Sequence, residues 1–415
     1  LSTSGACGDI PRNVIGNPLA GIDPNELIDT EPIVKELHQF FLNNEDFSNL
    51  PRKYKISISA NIHNAAHAEI NDLAFVPATK VIDGEEVVGF HVKVGGGLSS
   101  MPYLAPELDI FVRPEQVKDV AAAVTTIFRD YGYREKRHRA RLKFLVADWG
   151  PEKFKEKLLE LTGPLPERGV SQLKEWNAGY FYGVHRQKQE GLNYIGFNVP
   201  IGRLSADELF DIARISKQYG NGELRTCNSQ NLIIPNIPDE HVDAVLSEKV
   251  FERISINPKP FMAFSVSCTG TEFCNLALTE TKERMKNLAE YLDRELSIDV
   301  PVRIHMTGCT NSCGQRQIAD LGIQGLLMKT KDRGMIQAFE LYVGGTLDGG
   351  GKFNDKLKGK IPGDDLPEVV KEFLLYFKNN KQAGERFYDF VQRVGLETLQ
   401  KALDDILLQV KQPAS

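Results

Sequence analysis

The chain has 415 residues, 41% of them hydrophobic and 26% charged, with a formal net charge of −6. At about 150 residues per domain that length supports two or three domains with sizeable cores, and the negative balance excludes bulk attraction to nucleic acid. No apolar run approaches the roughly 20 residues of a membrane-spanning helix, and no signal-peptide pattern opens the chain. It begins at Leu1, directly in a Gly-rich, motif-like stretch, so an N-terminal portion is expected to be missing.

Residues 1–165 read as a first unit. It opens with Cys7 and Asp9-Ile-Pro-Arg12-Asn13. Alternation over Lys55–Ser59 predicts a strand, with Lys53 and Lys55 on one side of the chain. The apolar segments 70–78 and 89–98 predict a strand pair that ends in Val94-Gly95-Gly96. Val117, Val120, Ala121, Val124 and Ile127 predict a helix over 114–131. A basic run follows, with Arg134, Lys136, Arg137, His138, Arg139, Arg141 and Lys143. It is either a solvated face or a site for a polycarboxylate cofactor or an acidic protein. Pro164, Pro166 and Gly169 mark a linker.

Residues 178–248 form a different unit. Tyr194–Val199 predicts a strand. Ser205 and Glu208 make a capping box, opening a helix expected to bury Leu209, Ile212 and Ile215 and stopped by Gly220 and Gly222. Leu232–Pro235 predicts another strand and Asp239–Leu246 a short helix. This is half of a ferredoxin-like sheet. From residue 250 the first unit returns. PVRIHMTGC (301–309) parallels PRKYKISIS (51–59), IADLGIQGL (318–326) parallels INDLAFVPA (70–78), and AFELYVGGTL (338–347) parallels GFHVKVGGGL (89–98), at offsets of 248 to 250. On this alignment Ser59 stands opposite Cys309. A weaker parallel sets Cys7 and Arg12-Asn13 against Cys268 and Cys274-Asn275. A helix near 366–379 matches that at 114–131, with a further helix near the C-terminus. The fold class is α+β: two diverged repeat copies, 1–165 and 250–415, flank the half-domain.

Of six cysteines, Cys7 and Cys227 stand alone, while Cys268/Cys274 and Cys309/Cys313 form two close pairs. Without a secretion signal, such grouping reads as metal ligation rather than disulfides. Four thiolates can hold a cubane cluster, and the spacings are not the C-x2-C of zinc ribbons. Gly270, Gly308, Ser312 and Gly314 let backbone N–H groups turn toward sulfur. A structural zinc site and unrelated core thiols are the plainer alternatives.

The segments Cys268-Thr-Gly-Thr-Glu-Phe-Cys274 and Thr307-Gly-Cys309-Thr-Asn-Ser-Cys313-Gly-Gln315 resemble the signature of sirohaem-dependent sulfite and nitrite reductases. The resemblance runs over nearly the whole chain, including Gly16-Asn-Pro-Leu-Ala-Gly21 and Leu50-Pro-Arg-Lys53. Thr310 stands where many members have Pro. The resemblance implies that Cys268, Cys274, Cys309 and Cys313 hold a [4Fe–4S] cluster and that Cys313 also ligates the sirohaem iron. It implies six-electron reduction of sulfite or nitrite, with Arg12, Lys53 and Lys55 as catalytic donors to the anion and a further Arg upstream of this sequence. Asn311, Arg139, Arg141, Gln187, Lys188 and Arg225 are the candidate cofactor-binding residues, with His185, Asn228 and Asn231 beside them. His63 and His67 read as ordinary surface or core histidines, and Cys7 as a plain buried thiol. Lys at both positions of Lys53-x-Lys55, and Gly95-Gly-Gly97-Leu-Ser99, resemble the sulfite-reducing members, so sulfite is the expected substrate and nitrite the alternative. With no dinucleotide or flavin motif, electrons are expected from another protein, ferredoxin by family precedent. The expected location is the cytoplasm, or the plastid stroma in a plant or alga. The alternative of a different class is an iron–sulfur electron carrier without catalytic haem, against which Arg12, Lys53 and Lys55 argue, because a carrier needs no anion pocket.

Overall fold

The computed structural model describes residue 5 and residues 7–410. Copy one is built on a five-stranded sheet. β1 (Ile56–Ile58) runs parallel to β2 (Leu73–Ile82), which turns into antiparallel β3 (Glu85–Val94), followed by β4 (Glu107–Val112). The hairpin turn is Asp83-Gly84, both at positive φ (53° and 86°), the geometry that matches strand twist. Helices α1 (Glu31–Phe41), α2 (Val117–Tyr131) and α3 (Leu142–Thr162) pack on this sheet. Val117, Val120, Ala121, Val124 and Ile127 are buried in one core with Ile56, Phe75, Phe90 and Val92, as their helical spacing requires. α3 breaks at Gly150 (φ 77°), before Pro151. β5 (Val170–Ser171) pairs back onto β2, so the linker begins inside the first sheet.

The half-domain is an antiparallel sheet of β6 (Gly183–Arg186), β7 (Leu192–Phe197), β8 (Arg225–Thr226) and β9 (Leu232–Pro238), in the order β6-β7-β9-β8. It carries α4 (Ala206–Tyr219) and α5 (Val242–Leu246). The capping box forms: Ser205 Oγ accepts from the Glu208 N–H, and the Glu208 carboxylate accepts from the Ser205 N–H. Ser205→Ala is expected to cost about 1 kcal/mol, read as a lower denaturant midpoint at unchanged slope. Ile212 and Ile215 are fully buried, but Leu209 is 51% exposed, contrary to expectation. At 3.6 residues per turn, a stripe centred on Ile212, Ile215 and Ser216 leaves Leu209 beyond its rim.

Copy two has α6 (Pro260–Ala263), β10 (Ser265–Ser267), α7 (Lys282–Glu295) and β11 (Ile304–Thr307). The hairpin β12 (Leu321–Thr330) and β13 (Gly334–Val343) follows, then β14 (Asp355–Lys356), β15 (Ile361–Pro362), α8 (Leu366–Asn380), α9 (Phe387–Val394) and α10 (Leu396–Val410). The sheet order is β10-β11-β12-β13-β14, with β15 on β13. Ile56 pairs with Leu73, and Ile304 with Leu321, so the first strands correspond at an offset of 248. This corrects the sequence alignment: Ser59 lies opposite Thr307, and Cys309 opposite Asn61. Aligning Pro51 with Pro301 causes the slip, because the chain from proline to strand is two residues shorter in copy two. The weaker upstream parallel also fails. Ile15 bridges Ser57 as Val266 pairs with His305, so Arg12 precedes its strand whereas Cys268 and Cys274 follow theirs. The copies meet where His67 Nδ1 lies 3.1 Å from Gln315 Oε1, equivalent positions 248 residues apart. Both residues have left-handed backbones (φ 51° and 57°).

Candidate active site

β10 and β11 are parallel neighbours, so their C-terminal ends lie side by side and a cysteine pair leaves from each. The Gly308 N–H donates to Cys268 Sγ at 3.2 Å. The Leu278 N–H donates to the Gly308 carbonyl at 2.8 Å, folding the loop that carries Cys274 onto the loop that carries Cys309 and Cys313. A Cβ on Gly314 would lie 2.2 Å from the Met306 carbonyl oxygen, and one on Gly270 (φ 63°) 2.7 Å from the Thr281 nitrogen. Only glycine lets these loops close. Burial pushes the Cys313 thiol upward, the neighbouring Cys268, Cys309 and Cys274 push it further, and Lys53 pulls it back. The four thiols therefore share one electrostatic neighbourhood. A mononuclear site needs four sulfurs at about 2.3 Å from one ion. Among the described residues no three His, Cys, Asp or Glu side chains converge on a single ion in that way. A wider cluster held by separate thiolates suits the arrangement. Cys227 lies apart, its thiol pushed well up by burial and so unreactive. Cys7 is exposed, not buried as expected.

Cys313 also opens onto a cleft of about 640 Å³ between the two copies. Copy one supplies Arg52, Lys53, Lys55, Arg141, Lys143 and the loop Leu98–Met101, while copy two supplies Asn311–Cys313 and Gln315. Lys53 and Lys55 both reach the cleft because Tyr54 between them is fully buried, stacked on Phe128 at 5.6 Å. Burial, and then the charge of Arg141, pushes Lys55 down to about 8 and lowers Lys53 as well. Lys143 is pushed by burial to about 8. It donates to the Leu98 carbonyl at 2.7 Å and to the Met101 carbonyl, pinning the loop.

Asp72, fully buried, organises these cations. It accepts from the Lys55 N–H at 2.9 Å and from Arg141 Nε and Nη2 at 3.2 and 2.8 Å. Its counterpart Asp320 accepts from the Arg303 N–H at 2.9 Å, but also from the Arg303 side chain at 2.8 and 2.9 Å. That guanidinium lies 4.3 Å from the Trp176 ring centre. In copy one, Arg141 takes the place at the aspartate, and Lys55, the counterpart of Arg303, is left to extend into the cleft.

Other candidates land elsewhere. Arg12 does not line this cleft. Its N–H donates to the Tyr54 carbonyl at 2.8 Å and its guanidinium to the Gly8 carbonyl at 2.8 Å, and its charge acts on Lys53. Arg139 lies 3.9 Å from Asp148 and over Phe144. Gln187 donates to Asn236 at 3.0 Å, Lys188 pairs with Glu26 at 2.8 Å, and Arg225 donates to the Pro18 and Ala20 carbonyls. Asn228 donates to the Ala65 carbonyl, Asn231 contacts Asn198, and His185 stacks on Tyr194. None of these lines the cleft. His67 is a buried core histidine, and His63 stacks on Tyr180. Arg137, His138, Arg141 and Lys143 of the basic run line the cleft, whereas Arg134 is tied to Asn49. Arg52 and Lys143 escaped the sequence assignment of site residues; the density of charge around them was the available signal.

A duplicated α+β domain carries two cysteine pairs on neighbouring loops of one copy, and one of those cysteines, Cys313, lines a cleft rich in cations from the other. Residues 7–164 and 262–411 match the family model for the nitrite and sulphite reductase 4Fe-4S domain, and residues 185–248 that for the nitrite/sulfite reductase ferredoxin-like half domain. The chain belongs to the nitrite and sulfite reductase family, oxidoreductases with sirohaem and a [4Fe–4S] cluster. It is 39% identical to the ferredoxin–nitrite reductase of Synechococcus elongatus, over 88% of this chain and 72% of that protein. It is 36% identical to the sulfite reductase [ferredoxin] 2 of Mycolicibacterium paratuberculosis, over 96% and 72%. The solved Mycobacterium tuberculosis NirA protein superposes with a TM-score of 0.88 at 36% identity, covering 95% of this chain and 72% of that one. The chain spans 62–73% of the length of such curated relatives. No helix among the described residues is long and apolar enough to cross a membrane. The site fits the family's cofactors: four separate thiolates with an N–H to sulfur suit the cluster, and a basic cleft beside Cys313 suits a polycarboxylate haem.

Proposed function

We propose that the chain reduces sulfite to sulfide with electrons from ferredoxin, and the observation that carries this reading is Lys55 beside Lys53 in the cleft. Cys268, Cys274, Cys309 and Cys313 would hold the cluster, Cys313 would be shared with the haem iron, and Arg141 and Asn311, which line the cleft, would meet haem carboxylates. When bound, that cofactor pair would pass electrons from the donor protein, six for each anion reduced, to the anion held in the cleft. Lys53 and Lys55 bind and orient the anion, and their ammonium groups hold the protons that the departing oxygens take. Sulfite, with more negative charge than nitrite, gains more from the second lysine. The basic run at the cleft's edge offers an acidic donor protein a landing surface. Nitrite is the second reading, favoured by the name of the 39% identical cyanobacterial relative. Anaerobic steady-state turnover of both anions with reduced ferredoxin decides between them. A higher kcat/KM for sulfite is expected, and a higher value for nitrite replaces the first reading with the second.

The charge on Lys55 sets an expected pH dependence. Its protonated form binds the anion, and its ammonium is held down to about 8. Binding strength is therefore full below that pH and lost as pH rises through it. After correction for the anion's own ionisation, log kcat/KM for sulfite should fall above about pH 8. In Lys55→Arg, whose guanidinium stays charged, the limb should disappear. If it persists there, the titrating group is another, with Lys143 next in line.

A further inference from the structure

Lys282 is the first residue of α7 and is only 7% exposed. Three costs meet at its ammonium. The N-terminal end of a helix carries partial positive charge and disfavours a cation. Burial strips its water. Its Nζ reaches only neutral acceptors, the Ile201 carbonyl and Gln230 Oε1, and among the described residues the charges that act on it are Cys268, which attracts, and Arg203, a second cation. The cradle is itself strained: Ile201 and Gln230 have φ of 49° and 66°, a region a β-branched residue such as Ile201 rarely adopts. Gln230 also donates to the Ser267 carbonyl at 2.8 Å, beside Cys268. The hydroxyl of Thr281, the residue before α7, donates to the Cys268 carbonyl at 2.7 Å and lies 3.6 Å from its Sγ. The ammonium and the end of α7 are therefore both held behind one thiolate. A buried cation without a carboxylate persists where another anion faces it. Four thiolates around a cubane form a net anion that becomes more negative with each electron taken.

We infer that Lys282 is the charge-balancing group of the iron–sulfur cluster: its cation favours the reduced cluster over the oxidised one and so raises the cluster's midpoint potential. This rests on the family's cluster and not on the choice between sulfite and nitrite. The test compares the unaltered chain with Lys282→Met and Lys282→Arg, each loaded anaerobically with iron and sulfide. Redox titration at pH 7, read by electron paramagnetic resonance, gives the cluster potential. Lys282→Met should lower the equilibrium constant for one-electron reduction about tenfold, which is about 59 mV, and Lys282→Arg should stay within about threefold of the unaltered chain. Denaturation of the cluster-free chains separates charge balance from packing. Without the cluster the cation has no anion to face, so Lys282→Met should be at least as stable as the unaltered chain. A methionine variant that folds normally but loses its cluster supports the same role. An unchanged potential in the loaded methionine variant overturns it, as does a cluster-free methionine variant that is destabilised or unfolded. Iron and sulfide analysis of the unaltered chain exposes failure of the cluster assignment separately.

Discussion

Cys313→Ala is expected to remove turnover of either anion, by more than about 100-fold. Changing groups that merely orient a metal ligand costs about 10–100-fold, and Cys313 is influenced by the charge of the other three thiols and also lines the cleft. Both cofactors should suffer together: bound iron should fall, and the haem-type absorption bands should shift or vanish with the cluster shoulder. Cys227→Ala, at a thiol that burial pushes up and that lies outside the two cysteine pairs, is the control and should leave the spectrum unchanged. A Cys313→Ala chain with full iron content and an unaltered visible spectrum would remove Cys313 from the ligand set and, with it, the shared-sulfur arrangement.

Lys55→Asn should shift selectivity toward nitrite. At an effective dielectric of about 20, a cation 4 Å from an anionic charge contributes about 4 kcal/mol. Loss of the lysine's own hydration offsets much of that, leaving about 1–3 kcal/mol, or roughly 5–150-fold in binding. Sulfite should lose more of this than nitrite. The lysine's backbone is held by Asp72 and its side chain is not, so the substitution leaves the scaffold in place. Steady-state kcat/KM for both anions is the measurement, and equal proportional losses would show that Lys55 does not discriminate.

The two-copy fold is legible in the sequence because the hairpins β2–β3 and β12–β13 keep equal strand lengths and leave by the same Val-Gly-Gly exit. The register of the first strand is less so. It is set by Asp72 and Asp320, each accepting from the N–H of the residue before its strand, whereas the conspicuous landmarks are prolines that sit at different distances from it. The two cysteine pairs come to neighbouring loops because each follows the end of a strand, and parallel neighbours bring those ends together. Long polar side chains are harder. Gln187, Lys188 and Arg225 have the composition of a binding segment, yet they tie the half-domain internally and to residues 18–26. Lys143 has the composition of a solvated helix start, yet it is buried against two carbonyls of the cleft loop. What such a side chain does depends on which acceptors the rest of the chain folds against it, and local sequence does not hold that information.

The unequal use of Asp72 and Asp320 bears on descent. Two identical copies would each carry an open pocket and a ligand-bearing loop. In this chain Arg303 is turned back on Asp320 and covered by Trp176, while the positions opposite Cys309 and Cys313 are Asn61 and Ala65. One half holds the open cation pocket and has no cysteine at these positions; the other holds the cysteines and has its arginine folded back on the aspartate. A symmetric pair of either half would lack what the other half holds, the cation pocket or the cysteine loop, so the arrangement builds one asymmetric centre per polypeptide.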